Sequence, residues 1–322
     1  MTTLAPLSAL FQALADPSRL RILALLRSME LSVGELAQLL GQSQPRVSRH
    51  VRILADCGLV ARRKEGSWVF LMLTDSARAE PLFEAVDRWG GDEARAEFAA
   101  DIARLEAVRA DRAEAAARYF AIHAGTWDSI RSLHVAESQV EEAIAEALGD
   151  GPIGRLVDIG TGTGRMIELF GPRADSAIGV DRSSEMLRLA RVKLAASGLT
   201  SASLRQGDMY ALPLADASAD VVILHQVLHY AHAPAHAIAE AARVLAPGGR
   251  LLIVDFAPHE REEFRESDAH ARLGFADPAI SAWLEGAGLT SERSQHLAGG
   301  ELTVSLWLAR KSGGRARQRR AA

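Results

Sequence analysis

Cysteine is almost absent from this sequence, since Cys57 is the only one among 322 residues. A single thiol excludes an internal disulfide framework and any zinc site built on several thiolates. No stretch approaches the roughly 20 uncharged apolar residues that span a bilayer, and no basic segment opens a signal peptide at the N-terminus. The composition, 48% apolar and 24% charged, excludes wholesale disorder. We therefore expect a cytoplasmic protein of about two domains.

The net charge of −4 is unevenly distributed along the chain. Residues 1–75 carry nine Lys or Arg against six Asp or Glu, a net charge of +3, whereas residues 76–322 carry −7. The last thirteen residues hold six positive charges and no negative one. A basic first segment joined to an acidic body indicates one domain that meets a polyanion and another that does not.

The first 75 residues follow the pattern of a winged helix-turn-helix. Ser32 and Gly41 bound one predicted short helix, and Ser43 and Gly58 bound a second. Apolar and polar residues then alternate around residues 65–66, which predicts a β-hairpin or wing. In this motif the second helix enters the major groove, and its flanks and the wing contact phosphates. The predicted DNA-binding residues are Gln44, Arg46, Ser48, Arg49, His50, Arg52, Arg62, Arg63 and Lys64.

Residues 7–75, and above all the run Gln44-Pro45-Arg46-Val47-Ser48-Arg49-His50, resemble the ArsR family of winged-helix repressors. The resemblance implies a homodimer that binds an inverted-repeat DNA operator. Metal sensors of that family often carry a Cys-Val-Cys run where this chain has Ser32-Val33-Gly34. The missing thiolates argue against sensing of arsenic or another soft metal, and we predict no metal site.

The remainder of the chain divides into three segments. Residues 76–118 are rich in Ala, Glu and Arg, which predicts a helical connector and a candidate dimerisation surface. Residues 119–309 alternate predicted strands with predicted helices, a pattern typical of a doubly wound sheet with helices on both faces. Residues 310–322 form a basic tail that we expect to be disordered. The fold class is therefore α/β, a winged helix followed by a Rossmann-like domain.

A glycine-rich loop and three acids lie at the ends of successive predicted strands. The run Val157-Asp158-Ile159-Gly160-Thr161-Gly162-Thr163-Gly164 follows the first strand, and Asp181 and Asp208 follow the next two. Glycines let the backbone approach a cofactor, and an acid at a strand end can accept the hydroxyls of a ribose. A nicotinamide fingerprint requires Gly at the position of Arg165, so this spacing instead suits a cofactor without a pyrophosphate.

The runs VDIGTGTGRM, GVDRSSEMLRLAR, QGDMYALPLADASADVVILHQVLHY and EAARVLAPGGRLLIVDF closely resemble class I S-adenosylmethionine-dependent methyltransferases, in particular the branch that methylates quinones and small molecules. The resemblance implies a seven-stranded sheet with an antiparallel last strand, and S-adenosylmethionine as cofactor. It assigns the ribose to Asp181, the adenine to Asp208 and Met209, and the methionyl part to the glycine loop with His225 and Gln226. The predicted cofactor-binding residues are Asp158, Gly160, Gly162, Gly164, Asp181, Arg182, Asp208, Met209 and His225.

Methyl transfer requires alignment of an acceptor, and a general base only when the acceptor carries a proton. The predicted catalytic residues are His225, His229, Tyr230 and His259, and further acceptor-side candidates are Tyr119, Trp127 and Asp255. Arsenite methyltransferases share the fold but need several cysteines, which residues 119–309 lack.

Three functions fit these features. The first is a transcriptional regulator with a working methyltransferase that acts on a small molecule of unknown identity. The second is a non-catalytic transcriptional sensor of S-adenosylmethionine or S-adenosylhomocysteine. The third is an enzyme whose helix-turn-helix only dimerises it, which the basic residues on helix and wing disfavour.

Overall fold

A computed structural model describes residues 5–65, 68–74, 76–123, 136–199, 202–267, 269–298 and 302–313. The chain divides into two compact units, residues 1–114 (unit 1) and 115–322 (unit 2). Several predictions lie outside the described residues, namely those for Gly66, Trp127, the side chain of Tyr119 and the tail beyond residue 313.

Unit 1 is a helical domain with a three-stranded antiparallel sheet of order β1-β3-β2. Its elements are α1 (Ala5–Leu14), α2 (Pro17–Ser28), β1 (Leu31–Ser32), α3 (Val33–Leu40), α4 (Gln44–Asp56), β2 (Val60–Glu65), β3 (Trp68–Leu73) and α5 (Ser76–Trp89), and α6 (Asp92–His123) begins in this unit.

The helix starts of unit 1 follow from their capping residues. The Asp16 side chain accepts the Arg19 backbone N–H at 3.2 Å, and Pro17 occupies the first turn of α2. Ser32 and Glu35 form a reciprocal capping box at the start of α3. Ser43 stands at the predicted N-cap of α4, but its side chain makes no capping hydrogen bond. The predicted helix-turn-helix and wing are confirmed in α3, α4, β2 and β3.

The start of α6 is held against α2 by a buried ion cluster. The Asp101 carboxylate accepts from Arg21 Nε at 2.6 Å and from Arg21 Nη2 at 2.7 Å, and it also pairs with Arg104. Leu105, one helical turn further along, is buried as well. A buried carboxylate requires such partners, so the cluster fixes this part of α6 within unit 1.

Unit 2 is built on a seven-stranded sheet of order β6-β5-β4-β7-β8-β10-β9. Its elements are α7 (Glu137–Leu148), β4 (Gly154–Ile159), α8 (Arg165–Phe170), a 3-10 turn (Gly171–Arg173), β5 (Ala174–Asp181), α9 (Ser184–Ala196), β6 (Ala202–Gln206), β7 (Ala219–His225), a 3-10 helix (Leu228–Tyr230), α10 (Pro234–Val244), β8 (Leu245–Phe256), α11 (Glu263–Ser267), α12 (Asp277–Gly286), β9 (Leu289–Ala298) and β10 (Thr303–Lys311).

The sheet of unit 2 is parallel from β6 to β8, and β10 pairs antiparallel with both β8 and β9. Strand β7 lies at its centre, with Val222 and Leu224 packed into one apolar core and Val221 and Ile223 into another. Such alternation places a core on each face, so both faces are covered. The predicted seven-stranded sheet with an antiparallel last strand is confirmed.

Strand β8 is irregular near its start. Leu245 pairs with Ala219, the register then shifts, and Arg250 pairs with Val221. The shift leaves residues 246–249 as an irregularity in the strand, in keeping with their Ala-Pro-Gly-Gly sequence.

Candidate functional site

The glycine loop connects β4 to α8 at the carboxyl edge of the sheet. Gly160, Gly162 and Gly164 have φ of +70°, +52° and +84°, a region that L side chains rarely occupy. A Cβ atom on Gly160 would lie 2.3 Å from Val227 Cγ2. The Gly160 and Thr161 N–H groups both donate to the Val180 carbonyl, at 2.7 and 3.0 Å. The loop therefore takes one conformation, with its backbone drawn against β5 and the segment after β7.

Asp181, at the end of β5, binds this loop directly. Its Oδ2 accepts the Gly162 N–H at 2.8 Å, and its Oδ1 accepts the Ser183 N–H at 2.8 Å. Burial raises the pKa of Asp181, and these backbone donors oppose the increase because they stabilise the charged form. Asp181 is thus tied to the glycine loop by backbone hydrogen bonds, in contrast to Asp158, which bonds to the Thr161 side chain.

Asp158 lies beneath the loop rather than at its open side. It is buried, and its Oδ2 accepts the Thr161 hydroxyl at 2.6 Å. Asp158 therefore holds the loop through Thr161, since a buried carboxylate requires hydrogen-bond partners, and its predicted cofactor contact stays a prediction.

The third acid, Asp208, follows β6 in a tight turn. Its Oδ1 accepts the Tyr210 N–H at 3.0 Å, and Met209 packs against the core of the sheet. The Tyr210 hydroxyl accepts the Ala233 N–H at 3.2 Å, and burial raises the pKa of the phenol. Tyr210 was not predicted, because a tyrosine beside the acid carries no signal until the fold brings Ala233 to it. The predicted residue Arg182 has an exposed side chain, its carbonyl accepts from Gln206 Nε2 at 3.0 Å, and its backbone also hydrogen-bonds to Asp181.

A second cluster lies where β7 and β8 end. His225 is buried at the end of β7, and Gln226 follows with an unusual φ of +49°. His229 is 2% exposed and lies with its Nδ1 2.8 Å from Oδ1 of Asp255, which is 0% exposed. The predicted catalytic residues His229 and Tyr230 are neighbours, with ring centroids 4.0 Å apart.

The same cluster contains residues that sequence reasoning missed. The His270 ring lies 4.2 Å from the His229 ring and stacks between Phe256 and Phe264. The predicted residue His259 contacts Phe264 and Phe256 edge-on, at 5.7 and 6.2 Å, and not the His229 ring. Arg272 is fully buried and donates from Nη2 to the His232 carbonyl at 2.8 Å. No motif marks residues 270 and 272, since only the tertiary fold returns them to the end of β7.

Within the described residues, neither a metal-binding cluster nor a membrane-spanning helix is present. No three or more His, Cys, Asp or Glu side chains in the described ranges are arranged to hold a metal ion. Among the helices described, none is long and apolar enough to cross a membrane.

In unit 1, α4 and β2 present most of the predicted DNA-binding residues to solvent. The exposed side chains are Gln44, Arg46, Ser48, Arg49, Arg52, Arg62 and Lys64. The three arginines of α4 form no hydrogen bond or ion pair with any residue that the structure describes.

His50 and Arg63 differ from the other predicted DNA-binding residues. His50 is 8% exposed on the inner side of α4, with Nδ1 3.8 Å from Asp16 Oδ1, and burial lowers its pKa. Arg63 pairs with Glu30 at 2.7 Å and lies over the Phe70 ring. A free DNA contact from His50 does not fit its burial, because the side chain packs into the domain, and Arg63 is already engaged.

Two family models match the chain. Residues 16–62 match the model for bacterial regulatory proteins of the arsR family. Residues 157–253 match the model for a methyltransferase domain. The first match lies in unit 1 and includes the helix-turn-helix, and the second spans the glycine loop, Asp181 and Asp208 in unit 2.

Two curated relatives are named for the same two kinds of protein, a repressor and a methyltransferase. The arsenical resistance operon repressor of Escherichia coli is 45% identical over 75 residues, 23% of this chain and 63% of that protein. The demethylmenaquinone methyltransferase of Deinococcus radiodurans is 36% identical over 153 residues, 46% of this chain and 63% of that protein. The chain spans less than two thirds of the length of such curated relatives.

A solved structure supports the fold of the methyltransferase domain. A chain in the complex between the Haloferax volcanii Trm112 methyltransferase activator and a methyltransferase is 21% identical. It superposes with a TM-score of 0.51 and covers 60% of this chain and 97% of that chain. At this identity the likeness concerns the fold.

Proposed function

We propose that the protein is a DNA-binding transcriptional regulator that also binds S-adenosylmethionine and transfers its methyl group to a small-molecule acceptor. The observation that carries the proposal is the hydrogen bond from the Gly162 N–H to Asp181, which joins the glycine loop to the acid at the end of β5. A glycine-rich loop, fixed beside a carboxylate, suits a nucleoside cofactor.

The residues present fit this cofactor. A carboxylate offers about four lone-pair positions. The Gly162 and Ser183 N–H groups reach one on each Asp181 oxygen, and the Arg182 backbone is a third donor, so acceptor capacity remains for a ribose hydroxyl. Asp208 and Met209 would take the adenine, and Gly160, Gly162 and Gly164 the methionyl part. When bound, the sulfonium of S-adenosylmethionine supplies an electrophilic methyl group. The chain itself orients the acceptor and excludes water, which is the main catalytic requirement of such a displacement.

The proposed acceptor is a small molecule. A relative from Deinococcus radiodurans is named as a demethylmenaquinone methyltransferase, and its named substrate is not a polymer. Here the ends of β7 and β8 bear aromatic and imidazole rings, among them Tyr230, Phe256 and His270. Rings of this kind favour a compact organic acceptor over a polymer chain.

The DNA-binding part of the proposal rests on α4 and the wing. Arg46, Arg49 and Arg52 follow one another at intervals of three residues on an exposed face, and Arg62 and Lys64 add charge from β2. We propose that a homodimer places two such helices in successive major grooves about one helical turn apart. Such a regulator would act in the cytoplasm.

Two assays on the full chain test the proposal. Selection from random duplex DNA should enrich an inverted repeat, and methyl-labelled S-adenosylmethionine should label a product in a metabolite extract. Cofactor binding without label transfer from any extract would favour the non-catalytic sensor. Absence of sequence preference in the selection would contradict the regulator, and absence of cofactor binding would contradict both functions of unit 2.

A further inference from the structure

The segment after β7 brings a buried histidine next to the glycine loop. Val227 occupies the space into which a Cβ on Gly160 would project. The 3-10 helix Leu228–Tyr230 begins at the next residue, so His229 lies two residues from this contact. The glycine loop, which is proposed to hold the cofactor, thus packs against Val227, two residues before His229.

Asp255 holds the His229 imidazole in one orientation. Its Oδ1 lies 2.8 Å from His229 Nδ1 and also accepts the Phe256 N–H at 2.8 Å. Its Oδ2 accepts the His229 backbone N–H at 3.1 Å. One carboxylate therefore fixes both the main chain and the ring of His229. Asp255 belongs to β8, the neighbour of β7, so the arrangement is built on the rigid centre of the sheet.

These hydrogen bonds also fix the tautomer of His229. Two backbone N–H groups, those of His229 and Phe256, donate to Asp255, which is the environment of a charged carboxylate. A carboxylate accepts and does not donate, so His229 Nδ1 carries the proton. In the neutral imidazole Nε2 then carries a lone pair, as in a histidine that is positioned by an acid to act as a base.

His229 Nε2 has no hydrogen-bond partner among the residues that the structure describes, although it is buried. Buried polar atoms are nearly always satisfied, so this atom calls for a functional explanation. Its ring is enclosed by Tyr230, His270 and Phe256, at centroid distances of 4.0, 4.2 and 5.1 Å. Tyr230 is the partly exposed member of this group, whereas His270 and Phe256 are buried, so the cluster borders solvent on the Tyr230 side.

We propose that His229 is the catalytic base of the methyl transfer and that Asp255 is its positioning residue. The inference rests on the proposed function and narrows its substrate class to hydroxyl or amine compounds that lose a proton on methylation. As the acceptor oxygen or nitrogen forms its bond to the methyl carbon, the carbon–sulfur bond breaks and its electron pair stays on sulfur. The proton of the acceptor passes to His229 Nε2 and from there to solvent.

The tautomer is tested by nitrogen NMR on the full chain labelled with ¹⁵N-histidine and saturated with S-adenosylhomocysteine. The His229 signals are identified by their loss in His229→Gln. We expect a protonated Nδ1 and an unprotonated Nε2, and a shift towards the other tautomer in Asp255→Asn. His296→Gln serves as control, because His296 also pairs with an acid, Asp277, but is about half exposed. A protonated Nε2 in the wild type, or signals unchanged in Asp255→Asn, would overturn the assignment.

Transfer to defined probes tests the base itself. With methyl-labelled cofactor, catechol offers hydroxyl protons, whereas the ring nitrogen of nicotinamide has none to lose. His229→Gln should lower labelling of catechol by about 100-fold or more, the usual contribution of a general base. Cofactor affinity by calorimetry should change less than about threefold, and His296→Gln should change neither quantity.

The possible results distinguish failure of the proposed function from failure of the role assigned to His229. Failure of the wild type to bind the cofactor contradicts the proposed function itself. Cofactor binding with labelling of nicotinamide alone, or with equal labelling of catechol by wild type and His229→Gln, overturns the role of His229 only. If neither probe takes label, the labelled product from the metabolite extract serves as the readout, and equal labelling of it by wild type and His229→Gln overturns the role of His229.

Discussion

In unit 1 the arginines of α4 project into solvent, whereas in unit 2 the acids and histidines at the sheet edge are buried or bound by backbone N–H groups. Long, solvated charges suit a polyanion, because binding gains come largely from counterion release and need little preorganisation. A small cofactor and its acceptor need groups that are fixed before they bind. Substitutions on α4 should therefore affect DNA binding alone, while substitutions at the sheet edge should affect cofactor binding and stability together.

The largest effect is expected at Gly160. An alanine there must adopt φ of +70° and place its Cβ 2.3 Å from Val227. Gly160→Ala should abolish S-adenosylmethionine binding by calorimetry and destabilise unit 2 by about 2–5 kcal/mol, from strain and overpacking together.

Gly198→Ala is the control for this substitution. Gly198, at the end of α9 in the same unit, has a similar φ of +68°, but a Cβ there meets nothing within 4 Å. It should cost only the strain of a backbone conformation that L side chains rarely adopt, about 1–3 kcal/mol. Equal losses of stability in the two variants would show that the contact with Val227 does not constrain the loop.

A smaller effect, on binding alone, is expected on α4. Arg46→Ala combined with Arg49→Ala should weaken binding to the selected DNA about 10- to 100-fold and reduce the salt dependence, with unchanged thermal unfolding. Arg188→Ala, which removes an exposed arginine of unit 2, serves as control for charge. A loss of stability comparable to the loss of affinity would contradict the contrast between the two units.

Asp181→Ala should weaken cofactor binding about 10- to 100-fold, since it removes an acceptor worth about 1–3 kcal/mol. The loop should also loosen, because the Gly162 and Ser183 N–H groups lose their partner. Calorimetry measures the affinity, and Asp216→Ala, at an exposed acid, is the control. An unchanged dissociation constant would remove Asp181 from the site.

The pH dependence of cofactor binding should follow the carboxyl of Asp181. Burial raises its pKa, and hydroxyl donors from a ribose would favour the charged form. Affinity should therefore be constant at high pH and fall as the pH drops through the pKa of Asp181 in the free protein. Asp181→Asn should flatten this profile. A wild-type affinity that increases as the pH falls would contradict the prediction.

The smallest effect concerns His50. Burial lowers its pKa, so below about pH 6.5 the unfolded chain takes up a proton that the folded chain does not. Unit 1 should lose stability as the pH falls through that range, and His50→Gln should lose less. Urea unfolding at pH 7.5 and pH 5.5 measures the difference. Equal losses of stability between pH 7.5 and pH 5.5 in wild type and His50→Gln would exclude His50 as the source of the pH dependence.

Local patterns were sufficient to predict most of the fold. Capping residues such as Ser32, and the alternation of strands with helices after residue 150, depend on neighbours in sequence, and the structure confirms both. The glycine loop with Asp181 was predictable because parallel strands end at one edge. What the sequence did not reveal depends on distant contacts: the burial of His50, the role of Asp158 beneath the loop, and the arrival of His270 and Arg272 at the end of β7.

The central claim, that DNA binding in one part of the chain is coupled to cofactor binding in the other, is tested most directly by anisotropy titrations of the selected DNA. The full chain is titrated without ligand, with S-adenosylmethionine and with S-adenosylhomocysteine, with cofactor occupancy checked by calorimetry. Linkage requires any coupling to act in both directions, and a typical coupling of about 1–3 kcal/mol corresponds to roughly 5–150-fold in affinity. The account predicts sequence-specific, salt-sensitive binding that differs at least about fivefold among the three states. Three identical curves at full occupancy would contradict it and leave two independent activities on one chain.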